Sequence, residues 1–242
     1  MRVQGGVNIG DGLRAIIFDL DGTLIHSEID FERMNGTIIE IYLEQGVPRE
    51  LMLIGRGVSE NMHVARDYLL KHLNEKQLTE LEETIEARLE EIELDSLPLV
   101  RPVEGAKEVI LELRSKALEI GILTRGSRKY AMAALRVANL KDDIDHMICR
   151  DDFPWWEAKP NGMALHRLAN MIGVKPEECI LVGDHRMDME CAEIGGARFL
   201  GVLTGSLDRG SWEAMGCPVV IDSIADLPRL LPKIADCLER TR

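Results

Sequence analysis

From Arg14 onward, short apolar segments alternate with helical patterns, and this rhythm limits the fold more than any other feature of the chain. A-I-I-F-D-L (15–20), E-I-G-I-L-T (119–124), H-M-I-C (146–149), C-I-L-V-G (179–183), R-F-L-G-V (198–202) and P-V-V-I (218–221) read as strands. Helical patterns fall between them, roughly at 104–117, 127–138, 160–172, 187–194 and 224–238. Strands alternating with helices imply an α/β fold, a parallel sheet covered by helices.

Residues 26–100 break the rhythm, with no convincing strand and three helical stretches. In the first, Phe31, Met34, Ile38 and Ile41 mark one face, and Gly46 with Pro48 supply the stop. In the third, Leu78, Leu81, Ile85, Leu89 and Ile92 recur at steps of three and four behind Asn74 and Gln77, placed as a capping pair. The expected organisation is a core domain in two parts, 1–25 and 101–242, with an all-helical domain inserted at 26–100. Its connections would be I-H-S-E-I-D (25–30) and L-P-L-V-R-P (97–102), the latter stiffened by two prolines.

The 242 residues suffice for one large α/β domain or a domain carrying an insertion. No apolar run reaches the roughly 18 residues of a membrane span, and the first dozen residues read as a loose tail instead of a signal peptide. A cytoplasmic protein without a membrane partner is expected. The formal net charge of −13 opposes attraction to nucleic acid, and most of it sits in residues 26–100, with seven Lys+Arg against 17 Asp+Glu. The five cysteines are scattered, never in C-x-x-C spacing, and read as reduced, inert thiols.

The first strand runs straight into two carboxylates, Asp19 and Asp21, followed by Gly-Thr. Two such charges about 4 Å apart repel by roughly 4 kcal/mol at an effective dielectric near 20, so the pair calls for a cation. Ligands of open parallel sheets bind beyond the carboxyl ends of the strands. There the sequence also places Thr124-Arg125-Gly126-Ser127, Lys159-Pro160, and Gly183-Asp184 with Asp188 one helical turn on. These residue types suit phosphoryl transfer. A carboxylate can attack phosphorus, a hard cation removes its repulsion from a phosphate dianion, and Thr124, Lys159 and backbone N–H groups can hold the phosphoryl oxygens.

The order D-x-D-G-T-L, an apolar strand ending in Thr, Lys-Pro and G-D-x-x-x-D resembles the haloacid dehalogenase superfamily of hydrolases. The helical insertion after the first motif, with V-L-T-G-S (202–206) and V-V-I-D-S-I-A-D-L (219–227), is similar to its phosphoglycolate phosphatase-like and β-phosphoglucomutase-like branch. The resemblance implies a Rossmann-like core and makes the insertion a cap. It implies Asp19 as nucleophile, Asp21 as general acid and then base, and Thr124 and Lys159 as the phosphoryl grip. It further implies Mg²⁺ held by Asp19, the Asp21 backbone carbonyl and Asp184, with Asp188 in support. His185, where many relatives have Ser or Thr, and W-W-E-A before Lys159 depart from the family pattern.

Arg125 lies near the expected phosphate site, and a closing cap would bring Arg56 of G-R-G-V-S-E-N (55–61) to a substrate anion; a solvated loop arginine is the plainer reading of Arg56. The expected activity is a Mg²⁺-dependent phosphatase, monomer or homodimer, acting on a small phosphorylated metabolite such as 2-phosphoglycolate through an aspartyl-phosphate. A sugar phosphomutase using the same intermediate and a noncatalytic binding module are the alternatives.

Overall fold

The structure, a computed structural model, describes residues 12–231. In chain order its elements are β1 (Ala15–Phe18), β2 (Ile25–His26), α1 (Phe31–Glu44), α2 (Val58–Leu69), α3 (Glu75–Asp95), β3 (Arg101–Pro102), α4 (Ala106–Ser115), β4 (Glu119–Leu123), α5 (Arg128–Val137), β5 (His146–Ile148), α6 (Gly162–Ile172), β6 (Cys179–Gly183), α7 (Arg186–Gly195), β7 (Arg198–Val202), α8 (Arg209–Ala214) and β8 (Val220–Ile221). The expected N-terminal tail, apart from Gly12, and the end of the helix expected at 224–238 lie outside the described residues. Of that helix, 224–226 form a 3₁₀ turn and 227–231 are helical.

Six strands form one parallel sheet in the order β5-β4-β1-β6-β7-β8. This is an α/β, Rossmann-like core. Its central strands are covered on both faces, which is why they read as unbroken apolar runs: Ile16, Ile17 and Phe18 of β1 and Ile180, Leu181 and Val182 of β6 have no exposed surface. Each such side chain contributes about 1.5–3 kcal/mol by leaving water. The register puts Phe18 beside Ile122 of β4 and Val182 of β6, so the residues that follow these strands emerge together at one edge.

The first strand stops at Phe18, two residues before its expected end. Leu20 O accepts from Leu24 N at 2.9 Å and Ile25 N at 3.0 Å, turning the chain back after the strand. The helix expected from Pro160 begins at Gly162, because Asn161 Oδ1 accepts from Met163 N at 3.0 Å and so caps it one residue past the proline. Short strands β2 and β3 pair antiparallel, Ile25 with Pro102 and His26 with Arg101, where the sequence suggested only connections.

The chain divides into two compact units, Glu28–Pro98 and the residues on either side of it. In the helical unit α1 packs on both α2 and α3. Leu78, Leu81, Ile85, Leu89 and Ile92 are all buried, behind a reciprocal cap in which Asn74 Oδ1 accepts from Gln77 N at 3.0 Å and Gln77 Oε1 from Asn74 N at 3.1 Å. On α1 the buried face is Met34, Ile38, Ile39 and Tyr42, while Phe31 is 62% exposed; the apolar stripe starts one turn later than its first aromatic suggested. Two buried asparagines tie this unit's first loop: Asn35 Nδ2 donates to Ile54 O and Arg56 O, and Asn61 Nδ2 donates to Asn35 Oδ1 and Leu53 O.

Candidate active site

Asp19 follows β1, Thr124 follows β4 and Asp184 follows β6, all three on the carboxyl edge of the sheet. Asp19 N still donates to Val182 O at 2.8 Å and Thr124 N to Ile148 O at 3.0 Å, so hydrogen bonds to the neighbouring strands fix both residues. Asp188 lies in the first turn of α7, where its Oδ2 accepts from His185 N at 3.1 Å while the His185 ring Nδ1 accepts from Met187 N at 3.1 Å. His185 is therefore the helix cap, a task that Ser or Thr would also perform. Its burial, with the Lys159 charge beside it, lowers its pKa and favours the neutral ring that can accept this bond.

Carboxylate oxygens of Asp19, Asp184 and Asp188 lie within 4.8 Å of one another, and all three residues are buried. Lys159 binds this cluster, with Nζ 2.5 Å from both Asp19 Oδ1 and Asp188 Oδ1. Burial alone would lower the lysine pKa, but the charges and hydrogen bonds of Asp188 and Asp19 raise it, so the ammonium is retained. Burial, reinforced by the Asp19 charge, pushes Asp184 up to about 6 against the lowering effect of the Ser206 bonds. Asp188 is also raised, chiefly by burial, with Lys159 opposing and the other two acids adding.

Three glycines keep this space open. A Cβ at Gly22 would lie 2.6 Å from Asp184 Oδ2, one at Gly183 2.5 Å from Asp188 Cγ, and one at Gly205 2.0 Å from Asp184 Oδ2. Gly22 also has φ +79°, a left-handed turn suited to glycine. The set fits a hard divalent cation: oxygen donors only, three carboxylates facing one ammonium, and backbone cleared of side chains around them.

The expected pair of Asp19 with Asp21 needs correction. The carboxylate of Asp21 is not part of the acidic cluster; its Oδ1 accepts from the Tyr130 hydroxyl at 2.6 Å. The acids that gather follow β1 and β6, with Asp188 from the first turn of α7. Thr124 Oγ1 accepts from Gly126 N at 2.9 Å, and Arg125 Nη1 donates to Lys159 O, tying the second and third motifs together. Arg56 belongs to the helical unit, where its Nη1 donates to Leu51 O at 3.0 Å.

Sequence reasoning missed three site neighbours. Ser206 N donates to Asp184 Oδ2 at 2.7 Å and its hydroxyl to Asp184 O at 2.9 Å, while Thr204 Oγ1 donates to Gly22 O at 2.6 Å. The V-L-T-G-S stretch was the available signal: a strand end beside β6 supplies polar groups to the same edge. Tyr130 is the third; its position in an amphipathic helix signalled only core.

Residues 13–196 match the family model of haloacid dehalogenase-like hydrolases. A pyrophosphatase, PpaX, of Bacillus mycoides is 25% identical over 224 residues, covering 92% of this chain and 98% of its own. A phosphoglycolate phosphatase of Pseudomonas putida is 27% identical over 226 residues, covering 92% and 80%. Among solved structures, a hydrolase from Pseudomonas syringae superposes with a TM-score of 0.62 at 25% identity, over 91% of this chain and 99% of that one. A HAD family hydrolase from Deinococcus radiodurans, with bound phosphate and sodium, gives 0.61 at 21% identity over 93% and 97%. No helix among the described residues is long and apolar enough to cross a membrane. With the family model spanning most of the chain, and with the strand-end acids and lysine assembled at one sheet edge, this protein belongs to the haloacid dehalogenase-like hydrolases.

Proposed function

We propose that the chain is a Mg²⁺-dependent phosphatase that hydrolyses a small phosphorylated metabolite through an aspartyl-phosphate on Asp19. One observation carries the reading: Asp19 is buried against Lys159 at 2.5 Å and grouped with two further acids from a different strand end. The names of the relatives agree with it, and 2-phosphoglycolate and inorganic pyrophosphate are the first substrates to test.

Asp19, Asp184 and Asp188 would hold the metal with the Asp21 backbone carbonyl, and the bound ion supplies positive charge that lets a carboxylate approach a phosphate. An Asp19 carboxylate oxygen attacks phosphorus. The bond from phosphorus to the leaving oxygen breaks with its electron pair on that oxygen, which takes the proton of Asp21. Asp21, now a carboxylate, removes a proton from water; the water oxygen attacks phosphorus and the bond to Asp19 breaks, returning its carboxylate. Lys159 and Thr124 hold phosphoryl oxygens as charge spreads over them, while Ser206 keeps Asp184 in place.

Phosphate release from a phosphometabolite panel that includes pyrophosphate, with and without Mg²⁺, tests the reading. Asp19→Asn is expected to cut turnover at least about 10³-fold in protein that remains folded, since it removes the attacking charge. Release at the wild-type rate by Asp19→Asn refutes the nucleophile.

A further inference from the structure

We propose that Tyr130 is a positioning residue for Asp21, holding that carboxyl in the orientation that passes a proton to the leaving oxygen. The inference rests on the reading of Asp21 as general acid and goes beyond it by naming what aims the acid. Tyr130 sits in the first turn of α5, with no exposed surface, and its hydroxyl donates to Asp21 Oδ1 at 2.6 Å. That distance lies within the range of an O–H···O hydrogen bond.

Tyr130 is held at its backbone and packed at its ring. Ser127 Oγ, capping α5, accepts from Tyr130 N at 3.2 Å. A Cβ at Gly126 would lie 2.9 Å from Tyr130 Cδ1, so the ring fills the space a side chain at 126 would take. The T-R-G-S turn is thus folded around the tyrosine, which spans from the end of β4 to the loop after β1. Asp21 is partly exposed at the turn after β1. A bond from a rigid, buried ring limits rotation of its carboxyl while the tyrosyl proton stays on its own oxygen throughout.

A purely structural role, in which Asp21 merely satisfies a buried hydroxyl, would alter stability alone. Proton donation matters for a poor leaving group such as an alkoxide and little for p-nitrophenolate, and kcat/KM reports the step in which that bond breaks. Purified full-length Tyr130→Phe is therefore assayed with propyl phosphate and p-nitrophenyl phosphate, with Asp21→Asn alongside. The expected result is a fall of about tenfold to 100-fold in kcat/KM for the alkyl ester, and less than about threefold for the aryl ester. Gly126→Ala, which pushes the ring aside and leaves the hydroxyl present, is expected to show the same split and carries the test should Tyr130→Phe not fold. Wild-type ratios between the two esters in the folded variants, with a split in Asp21→Asn, overturn the inference alone. No split in Asp21→Asn overturns the general-acid reading and the inference with it.

Discussion

Gly205→Ala is the sharpest perturbation of the site, because Gly205 carries no side chain of its own and a single methyl there meets a single carboxylate. The added Cβ would sit 2.0 Å from Asp184 Oδ2 and 2.3 Å from its Cγ, whereas ordinary contact begins at 3.4 Å. No positive φ marks Gly205, so alanine fits the backbone and the clash must be relieved by moving the acid. Relief requires about 1.4 Å of displacement and breaks the 2.7 Å bond from Ser206 N. Overpacking of this kind costs about 1–3 kcal/mol of stability. A displacement near 1 Å in a catalytic array costs about 10²-fold in rate, or about 2.7 kcal/mol of barrier. Gly210→Ala, five residues on, is the control: its nearest neighbour is Asp208 Oδ1 at 3.8 Å, and alanine in α8 should be neutral or stabilise by about 0.4–1 kcal/mol. Phosphate-release kinetics over a Mg²⁺ titration, with thermal melts, read both variants. Wild-type kcat and metal requirement in Gly205→Ala would sink the idea that Asp184 must stay where Ser206 holds it.

Lys159→Met removes the ammonium that faces Asp19 and Asp188, and leaves buried carboxylates without their partner. Urea unfolding at pH 8 should show a loss of about 3–5 kcal/mol, shrinking toward pH 5 as the acids take up protons; a pH-independent loss would assign the effect to packing. Mg²⁺ should raise the melting temperature of the wild type more at pH 7.5 than at pH 5. Asp184 is pushed up to about 6 by burial, above its unfolded value near 3.9, so the metal-free protein loses stability as pH rises through the folded value and the ion offsets that loss. A shift that stays constant or grows toward acid would contradict this.

The parallel sheet and its carboxyl edge were legible because buried strands must be apolar throughout and their C-terminal residues must therefore be the first polar ones. Asp19, Thr124 and Asp184 all announced themselves this way. What the sequence hid was direction. Asp19 and Asp21 are neighbours in the chain, yet β1 has ended at Phe18, and the turn sends Asp21 to Tyr130 while Asp19 joins acids some 165 residues away. Glycine spacing carried part of the missing signal: Gly22, Gly183 and Gly205 are each required by a carboxylate, but a glycine alone does not say what approaches it. Burial pushes Cys149, Cys179 and Cys191 up to about 12, in line with the expectation of unreactive thiols for these three.

An acidic chain that handles a phosphate has to solve an electrostatic problem locally. The formal net charge of −13 repels an anion at long range, and Lys159 cannot reverse this near Asp19, because two carboxylates already share its ammonium at 2.5 Å. Counting the three clustered acids against this one cation leaves the site two charges negative when all three are ionised. A divalent ion is what brings that balance to zero, and only then does a phosphate approaching Asp19 meet no net repulsion from the cluster. Beside the grip on phosphoryl oxygens proposed for it, the lysine has a second task. It would hold Asp19 and Asp188 in fixed relation, so that an arriving cation would find its proposed ligands set and the proposed attacking oxygen aimed.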